Sequence, residues 1–461
     1  MTEIPADLNR RLREHDQMHL LWGWSQLSEG DRAAFIHELR KLDLEQLKLE
    51  HARVGTRGRI PPLDRIEIIP KANSENDSAA RQIGEEALAR GEVAVVLVAG
   101  GRGSRLGFEH PKGMYGIGPV SGKSLFAFHA EKILARRRKH GGRIPLLIMT
   151  SDATHDETET YFEEQRYFGL PLEDVRFFRQ GTMPVLALDR FRLLLEAPGR
   201  LCRSPNGHGG TLTALQESGL LGDMHQLGVR HLFYFQVDNP LVKVADPLFL
   251  GQHLQAKSEA SSKVVPKAKP TDKIGNLVLV DGRCTIIEYH EPDETEMWAQ
   301  KNGRHLFLDG SPAIHVFELE FLRRLTREGF ALPLHYAKRK VDHLDEAGQL
   351  VRATAANAVQ LETFIFDTLP QAKRWLAVET THEEEFAPLK NADNDPADNP
   401  TTVRRAISSL AAEWLRRAGV KLPDVDRHRV EISPLFALGP EDVAHRLQGD
   451  LTIRGSVFFA E

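Results

Sequence analysis

Val93-Ala94-Val95-Val96-Leu97-Val98-Ala99-Gly100-Gly101-Arg102-Gly103-Ser104-Arg105-Leu106-Gly107 is the stretch on which the reading of the fold turns. Its first seven residues are apolar, rich in valine and without polar alternation, the pattern of a strand covered on both faces. The run then breaks into glycines. Small residues at a strand end let backbone N–H groups approach a phosphate or a base, where a Cβ would intrude. In an open α/β sheet, ligands gather at the carboxyl ends of strands, so the position suits that use.

Working outward, a helical pattern runs from Ser124 to about Lys139, then a buried strand from Ile144 to Met149 and a helix from Thr154 to Phe168. Thr211–Leu221 reads as a helix and His231–Val237 as a strand. This alternation predicts an α/β fold with a mainly parallel mixed sheet. Upstream, residues 1–90 read as helical. Ser28 and Asp31 bracket a helix start, and Phe35, Ile36, Leu39 and Leu42 recur at helical spacing. The stretch 56–82 is a connection richer in Gly, Pro, Asn and Ser, leading to a helix at 81–90. Downstream of about 330 the reading places a helix at 362–369, a strand near 375–379, a polar loop from Asn391 to Asn399, and a helix at 402–418 closed by Gly419. The tail, 429–461, carries short strands. The expected division is a helical N-terminal region, 1–90, a catalytic domain, 91–400, and a small β-containing C-terminal domain, 401–461.

Composition narrows the function. A chain of 461 residues has room for about three domains. Lys plus Arg number 60 against 65 for Asp plus Glu, a net charge of −5, with no basic stretch interleaved with aromatics. That balance disfavours nucleic acid and anionic membranes as partners. Cys202 and Cys284 are far apart with no CxxC, as expected of free thiols in a reducing compartment. The amino terminus lacks a basic and apolar leader, and the longest apolar run, Val93–Ala99, is far short of the ~20 residues of a membrane span. A soluble, cytoplasmic protein is expected. The 20 histidines show no HExxH or Cys/His zinc spacing.

Two phosphate motifs fail on spacing. A dinucleotide fingerprint beginning at Gly101 needs glycine where Leu106 stands, and its acidic partner would be Glu131, inside a helix. A Walker A loop ending at Gly122-Lys123-Ser124 needs glycine where Ile117 stands, and no strand precedes it. What remains is a glycine turn loaded with cations: Arg102, Arg105, Lys112 within Pro111-Lys112-Gly113, and Lys123 within Ser121-Gly122-Lys123. Cations alternating with Gly and Pro in a loop at a strand end suit a triphosphate.

These residues resemble the UDP-sugar pyrophosphorylase family. The likeness is carried by Leu97–Gly107, Pro111-Lys112-Gly113-Met114-Tyr115, Ser121-Gly122-Lys123, Arg179-Gln180-Gly181, Pro205-Asn206-Gly207-His208-Gly209-Gly210, Val237-Asp238-Asn239, Ile287-Glu288-Tyr289 and Phe386-Ala387-Pro388-Leu389-Lys390-Asn391, and it extends to Glu431-Ile432-Ser433-Pro434-Leu435. It implies a GT-A-like nucleotide-binding core and dependence on Mg²⁺. By resemblance, Gly100, Gly101, Lys112, Gln180, Gly207 and Asp238 contact the nucleotide, with Ala99 and Asn206 in the same loops. His208, Glu288, Tyr289 and Lys390 fall where the family holds the sugar phosphate. His208 and Gln360-Leu361-Glu362-Thr363 resemble the glucose branch of the family; the acetylglucosamine branch has Asn and Lys at positions 208 and 360. Gly310-Ser311-Pro312-Ala313-Ile314-His315 also departs from the Gly-Asn-Ile of the acetylglucosamine branch.

The implied chemistry is attack of a sugar-phosphate oxygen on the α-phosphorus of UTP with loss of pyrophosphate. Such a reaction needs cations and fixed geometry more than covalent work. Asp238, ending a strand, is the candidate ligand for Mg²⁺, although Asp-Asn-Pro is also turn chemistry. Arg105, with its planar fork, is assigned to the leaving pyrophosphate, Lys112 to the α-phosphate, and Lys390 to the sugar phosphate. The expected sugar is N-acetylglucosamine 1-phosphate. Glucose 1-phosphate, a broad-specificity enzyme and a nonenzymatic UDP-sugar sensor are the alternatives.

Overall fold

The apolar run forms a strand, β1 (Val93–Val98), whose side chains from Val93 to Leu97 are all buried. In the computed structural model, which describes residues 4–55, 60–71, 75–424, 427–447 and 451–461, β1 has parallel partners on both sides. One is β2 (Leu146–Thr150), itself parallel to β3 (Val175–Arg179), and the other is β4 (His231–Gln236). A strand enclosed in this way has no solvent face, hence no polar alternation.

Beyond β4 the sheet changes sense. In chain order come β5 (Ala260–Pro266), β6 (Asn276–Val280), β7 (Arg283–Ile287), β8 (His315–Glu318) and β9 (Trp375–Glu379). β8 lies between β4 and β5 and is antiparallel to both, whereas β9 is parallel to β5. Asp309–Gly310 joins β5 to β6, which forms a hairpin with β7. The twelve-stranded sheet is therefore mixed, parallel on one side and largely antiparallel on the other, and not mainly parallel. Parallel pairing needs a long crossover between strands. Past β4, hairpins replace the crossovers, as at Asp281-Gly282, where both residues take positive φ.

Helices α1 (Glu75–Ala89), α2 (Leu125–His140), α3 (His155–Glu164) and α4 (Pro247–Gln255) accompany this sheet. Ser124 caps α2, accepting from Ala127 N–H at 3.1 Å. The helix expected at 81–90 is the second half of α1. Of the connecting stretch 56–82, residues 56–59 and 72–74 lie outside the described residues, while Leu63–Asp64 and Ile68–Ile69 add edge pairs to β6 and β9. The helix read at Thr211–Leu221 is two, Gly210–Glu217 and Leu220–Gln226, parted at Gly219. The helix read at 362–369 is instead a strand, Ala358–Glu362, followed by a 3₁₀ turn, Ile365–Gln371. Its apolar residues are too few to separate the two periods, and pairing with His335–Arg339 decides for the strand.

By compactness the chain divides into two units with interleaved segments. The larger holds Pro61–Arg179, Thr211–Phe330 and Phe366–Glu461; the smaller holds Met1–Ile60, Gln180–Gly210 and Ala331–Ile365. In the larger, α5 (Pro400–Arg417) starts from a capping box at Asn399 and packs Ala411 and Leu415 against β10 (Val430–Ile432) and β11 (Val457–Phe459), which pair in parallel. Residues 448–450 of the predicted tail lie outside the described residues. In the smaller, Ser28 caps the helix Glu29–Lys41, and Phe35 and Leu39 join Leu8, Leu12, Leu186 and Leu361 in one core. Cys202 and Cys284 are free and buried. Among the described residues no helix is long and apolar enough to cross a membrane.

Candidate active site

The predicted site residues divide between the units. Ala99, Gly100, Gly101, Arg105, Lys112, Asp238, Glu288, Tyr289 and Lys390 belong to the larger; Gln180, Asn206, Gly207, His208 and Gln360 belong to the smaller.

In the larger unit the end of β1 passes from buried Ala99 to exposed Gly101. The Gly100 carbonyl accepts from Ser151 Oγ at 2.7 Å, and the Gly101 carbonyl from Lys112 N–H at 3.0 Å. Among the described residues, neither glycine N–H has a protein acceptor. A Cβ built on Gly101 would meet nothing within 4 Å, so packing does not require glycine there. Two consecutive N–H donors are thus uncommitted at the strand end, as an anion site requires. The chain then makes a 3₁₀ turn, Ser104–Leu106, on which Arg105 is exposed and, among the described residues, without an ion-pair partner. Arg102 donates to Glu109 O at 2.7 Å. Lys123 corrects the sequence reading. Its ammonium is held by both Glu131 oxygens, at 2.6 and 2.8 Å, so it is spent inside the protein.

β4 ends beside β1, with Val237 N–H donating to Val98 O at 3.0 Å, and delivers Asp238 next to the glycine turn. Asp238 Oδ2 lies 3.7 Å from Lys112 Nζ, both side chains being mostly buried. The next residue, Asn239, is a buried clamp: its amide donates to Glu385 O at 2.6 Å and accepts from Ala387 N–H at 3.1 Å. Leu389 N–H donates to Asp238 O at 2.8 Å. The Phe386–Asn391 segment is thereby laced to the end of β4, and it brings Lys390, whose ammonium sits 5.8 Å from the Phe386 ring centroid. Lys390 N–H donates to Asp398 O at 2.7 Å. Burial raises the Asp398 carboxyl above its usual range; Lys390 opposes the rise, and the negative charges of Asp238 and Asp395 add to it.

Sequence reasoning missed what lies beneath. On α2, His129 Nε2 donates to Val237 O at 2.9 Å, Lys132 to Pro240 O and to Val242 O at 2.8 Å, and Arg136 Nε to Val244 O at 3.4 Å. One helix face thus satisfies the carbonyls on both sides of Asp238 in turn. Burial lowers Lys132 to about 7 and His129 to about 3, yet both keep donor hydrogens when neutral. The available signal was the i, i+3 and i+7 spacing of His129, Lys132 and Arg136, which puts all three on one helix face. Asn239 stood within the quoted Val237-Asp238-Asn239 motif without a role assigned to it, and Asp398 carried no signal beyond loop composition. Glu288 and Tyr289 stand elsewhere in this unit, at the end of β7. In the sheet, β8, β5 and β6 lie between β7 and β4. Tyr289 is exposed with its ring against His290.

In the smaller unit the predicted glycine loop is tied to the strand bearing Gln360. Asn206 N–H donates to Gly181 O at 3.0 Å, and Asn206 O accepts from Thr363 N–H and Oγ1 at 2.8 and 2.9 Å. Asn206 Oδ1 is buried and has no hydrogen-bond partner among the described residues. Gly207 takes φ +80°, and a Cβ there would fall 2.5 Å from Thr363 O, so only glycine fits. His208 Nδ1 accepts from Ile365 N–H at 3.3 Å, which leaves the proton on Nε2. Its ring stacks on Phe364 with centroids 5.0 Å apart. Burial, with His335 adding a like charge, lowers His208 to about 3, so the ring is a neutral donor. Gln180 is buried, and Gln360 is half-buried opposite Ala337. Among the described residues no group of three or more His, Cys, Asp or Glu side chains could hold a metal by itself.

Comparison with known proteins gives the family. The model of the UTP–glucose-1-phosphate uridylyltransferase family matches residues 46–429. UDP-N-acetylhexosamine pyrophosphorylase-like protein 1 of Xenopus tropicalis is 36% identical, across 92% of this chain and 87% of its own length. UDP-N-acetylglucosamine pyrophosphorylase of Saccharomyces cerevisiae is 34% identical, across 91% of this chain and 93% of its own. The crystal structure of uridine diphosphate N-acetylglucosamine pyrophosphorylase from Trypanosoma brucei, in complex with an inhibitor, superposes with a TM-score of 0.80 at 26% identity, covering 97% of this chain and 96% of that one. With the family match and the relatives in agreement, the chain belongs to the UTP–glucose-1-phosphate uridylyltransferase family and is a uridylyltransferase.

Proposed function

We propose that the enzyme forms a UDP-sugar and pyrophosphate from UTP and a sugar 1-phosphate, and that the sugar is N-acetylglucosamine. The observation that carries the reading is the Lys112–Asp238 pair, 3.7 Å apart at the carboxyl end of the parallel strands, beside a turn with two uncommitted amides. In this reading a sugar-phosphate oxygen attacks the α-phosphorus as the bond to pyrophosphate breaks. Lys112 and the Gly100 and Gly101 amides offset charge on the nucleotide phosphates, Arg105 takes the pyrophosphate, and Lys390 takes the sugar phosphate. Asp238 fits Mg²⁺, which keeps several waters and takes one or two carboxylates besides substrate phosphates, so the lack of a three-ligand cluster is no obstacle. Bound there, the ion would supply Lewis-acid help at the α-phosphate. In the smaller unit, the orphaned Asn206 Oδ1 and the neutral donor His208 support the ligand contacts that resemblance assigns to that loop.

The choice of sugar rests on the relatives named for N-acetylglucosamine and N-acetylhexosamine. His208 and Gln360 favour the second reading, glucose 1-phosphate. The parallel half of the sheet with a carboxylate closing β4 supports a GT-A-like core. Two buried free thiols support a reducing, cytoplasmic setting. The test is pyrophosphate release from UTP and Mg²⁺ with N-acetylglucosamine 1-phosphate, glucose 1-phosphate and other sugar phosphates in parallel. The expected outcome is fastest release with the first; equal turnover of dATP, or no release with any sugar, overturns the proposal.

A further inference from the structure

The Ser121-Gly122-Lys123 turn is built to hold an anion, and the anion it holds belongs to the chain itself. Ile117 and Gly118 N–H donate to Lys123 O at 2.9 and 3.0 Å, closing a tight loop in which Gly122 takes φ +70°. The N–H groups of Val120 and Ser121 both donate to Glu431 Oε2, each at 2.8 Å, and Ser121 Oγ donates to Glu431 Oε1 at 2.5 Å. Consecutive amides around an oxyanion form a nest of the sort that elsewhere cradles phosphate. Glu431 is 0% exposed on β10, and a buried carboxylate is tolerated only when fully bonded, as here. Two neighbours strengthen the clasp. Ser433 Oγ lies 3.4 Å from Lys123 Nζ, and Arg404 of α5 donates to Gly116 O at 2.8 Å.

This loop continues directly from the Lys112 turn. Tyr115 N–H donates to Lys112 O at 3.0 Å, Leu125 N–H to Tyr115 O at 3.1 Å, and Lys112 N–H to Gly101 O. The base of the loop is the phosphate-handling turn, and its tip is the nest.

We propose that Glu431 is a positioning residue for the nucleotide phosphates. By filling the nest it fixes residues 116–124, and through them the Lys112 turn and the Gly100-Gly101 strand end. It also denies the nest to the substrate, leaving the triphosphate to Gly100 and Gly101. The inference rests on the reading of that strand end as the UTP site.

The experiment compares the parent protein with Glu431→Gln and Ser121→Ala, measuring the Kd of UTP with Mg²⁺ by calorimetry, the KM of each substrate, and the melting temperature. Charge-assisted bonds to the loop are lost in the first variant and one hydroxyl bond in the second. UTP affinity is expected to fall about tenfold in Glu431→Gln and about threefold in Ser121→Ala. The KM of the sugar 1-phosphate should not move, and Ser121→Ala should remain folded, melting no more than about 4 °C below the parent. Native UTP affinity in both variants, or an equal loss for both substrates, overturns the proposal. If Glu431→Gln does not fold, Ser121→Ala decides alone. Failure of the parent protein to bind UTP would instead strike at the proposed function.

Discussion

Lys112 and Arg105 look alike in sequence, as cations in a glycine-rich turn, but the structure gives them different circumstances. Lys112 is mostly buried against Asp238, whereas Arg105 stands exposed with no ion pair among the described residues. Neither side chain supports the core, so replacing either should leave the fold in place. Lys112→Met and Arg105→Ala are each expected to lower kcat by about a hundredfold or more, the usual cost of deleting a preorganised charge from a polar transition state. Steady-state pyrophosphate release, with circular dichroism as the control for folding, measures this; near-native rates in both would remove the assigned roles. Lys123 carries the opposite lesson. Its motif was legible and its role was not, because the carboxylate that neutralises it comes from Glu131, on a helix face no local pattern links to the turn.

Strand β1 is legible because its unbroken apolar run already shows burial on both faces, although its partner strands are distant, and helices α2 and α5 are legible because their apolar spacing repeats within a few residues. Ala358–Glu362 is not, because a short apolar run acquires its period only from its partner strand. The segment holding Lys390 is likewise a product of long-range bonds. Glu385 is fully buried; it pairs with Lys263, which also meets Asp246 at 3.1 Å, and accepts from Thr380 Oγ1 at 2.8 Å. Its carbonyl receives the Asn239 amide. Glu385→Ala would strand Lys263 with half its compensation and loosen the Lys390 segment. The expected loss is about 3–5 kcal/mol of stability, read from urea unfolding, with a rise in the KM of the sugar 1-phosphate. A change below about 1 kcal/mol would show that Asp246 alone suffices for Lys263.

Across the whole molecule, buried histidines set the response to acid. Burial lowers His129 and His208 to about 3, His231 to about 4, and His253 well below its ordinary value. In the unfolded chain these rings titrate near pH 6.5, so below that pH the unfolded state binds protons that the folded state refuses. The part of the stability that these rings control is therefore complete above about pH 6.5 and falls as the pH drops toward the folded values. The slope is about 1.4 kcal/mol per pH unit for each ring. A urea midpoint lower at pH 5.5 than at pH 7.5 is expected; an unchanged midpoint would mean that the rings are protonated in the folded state.

Sequence alone determined the buried strand that ends in glycines, the helix caps, the family and most of the candidate phosphate-binding groups, because periodicity, capping and turn chemistry act over short spans of chain. Tertiary structure decided which charges remain available. It set Asp238 against Lys112, consumed Lys123 and Glu431 inside the protein, held His208 neutral, and turned half of the sheet antiparallel. Each outcome depends on partners distant in sequence, and desolvation and pairing energies come into being only when folding brings those partners together.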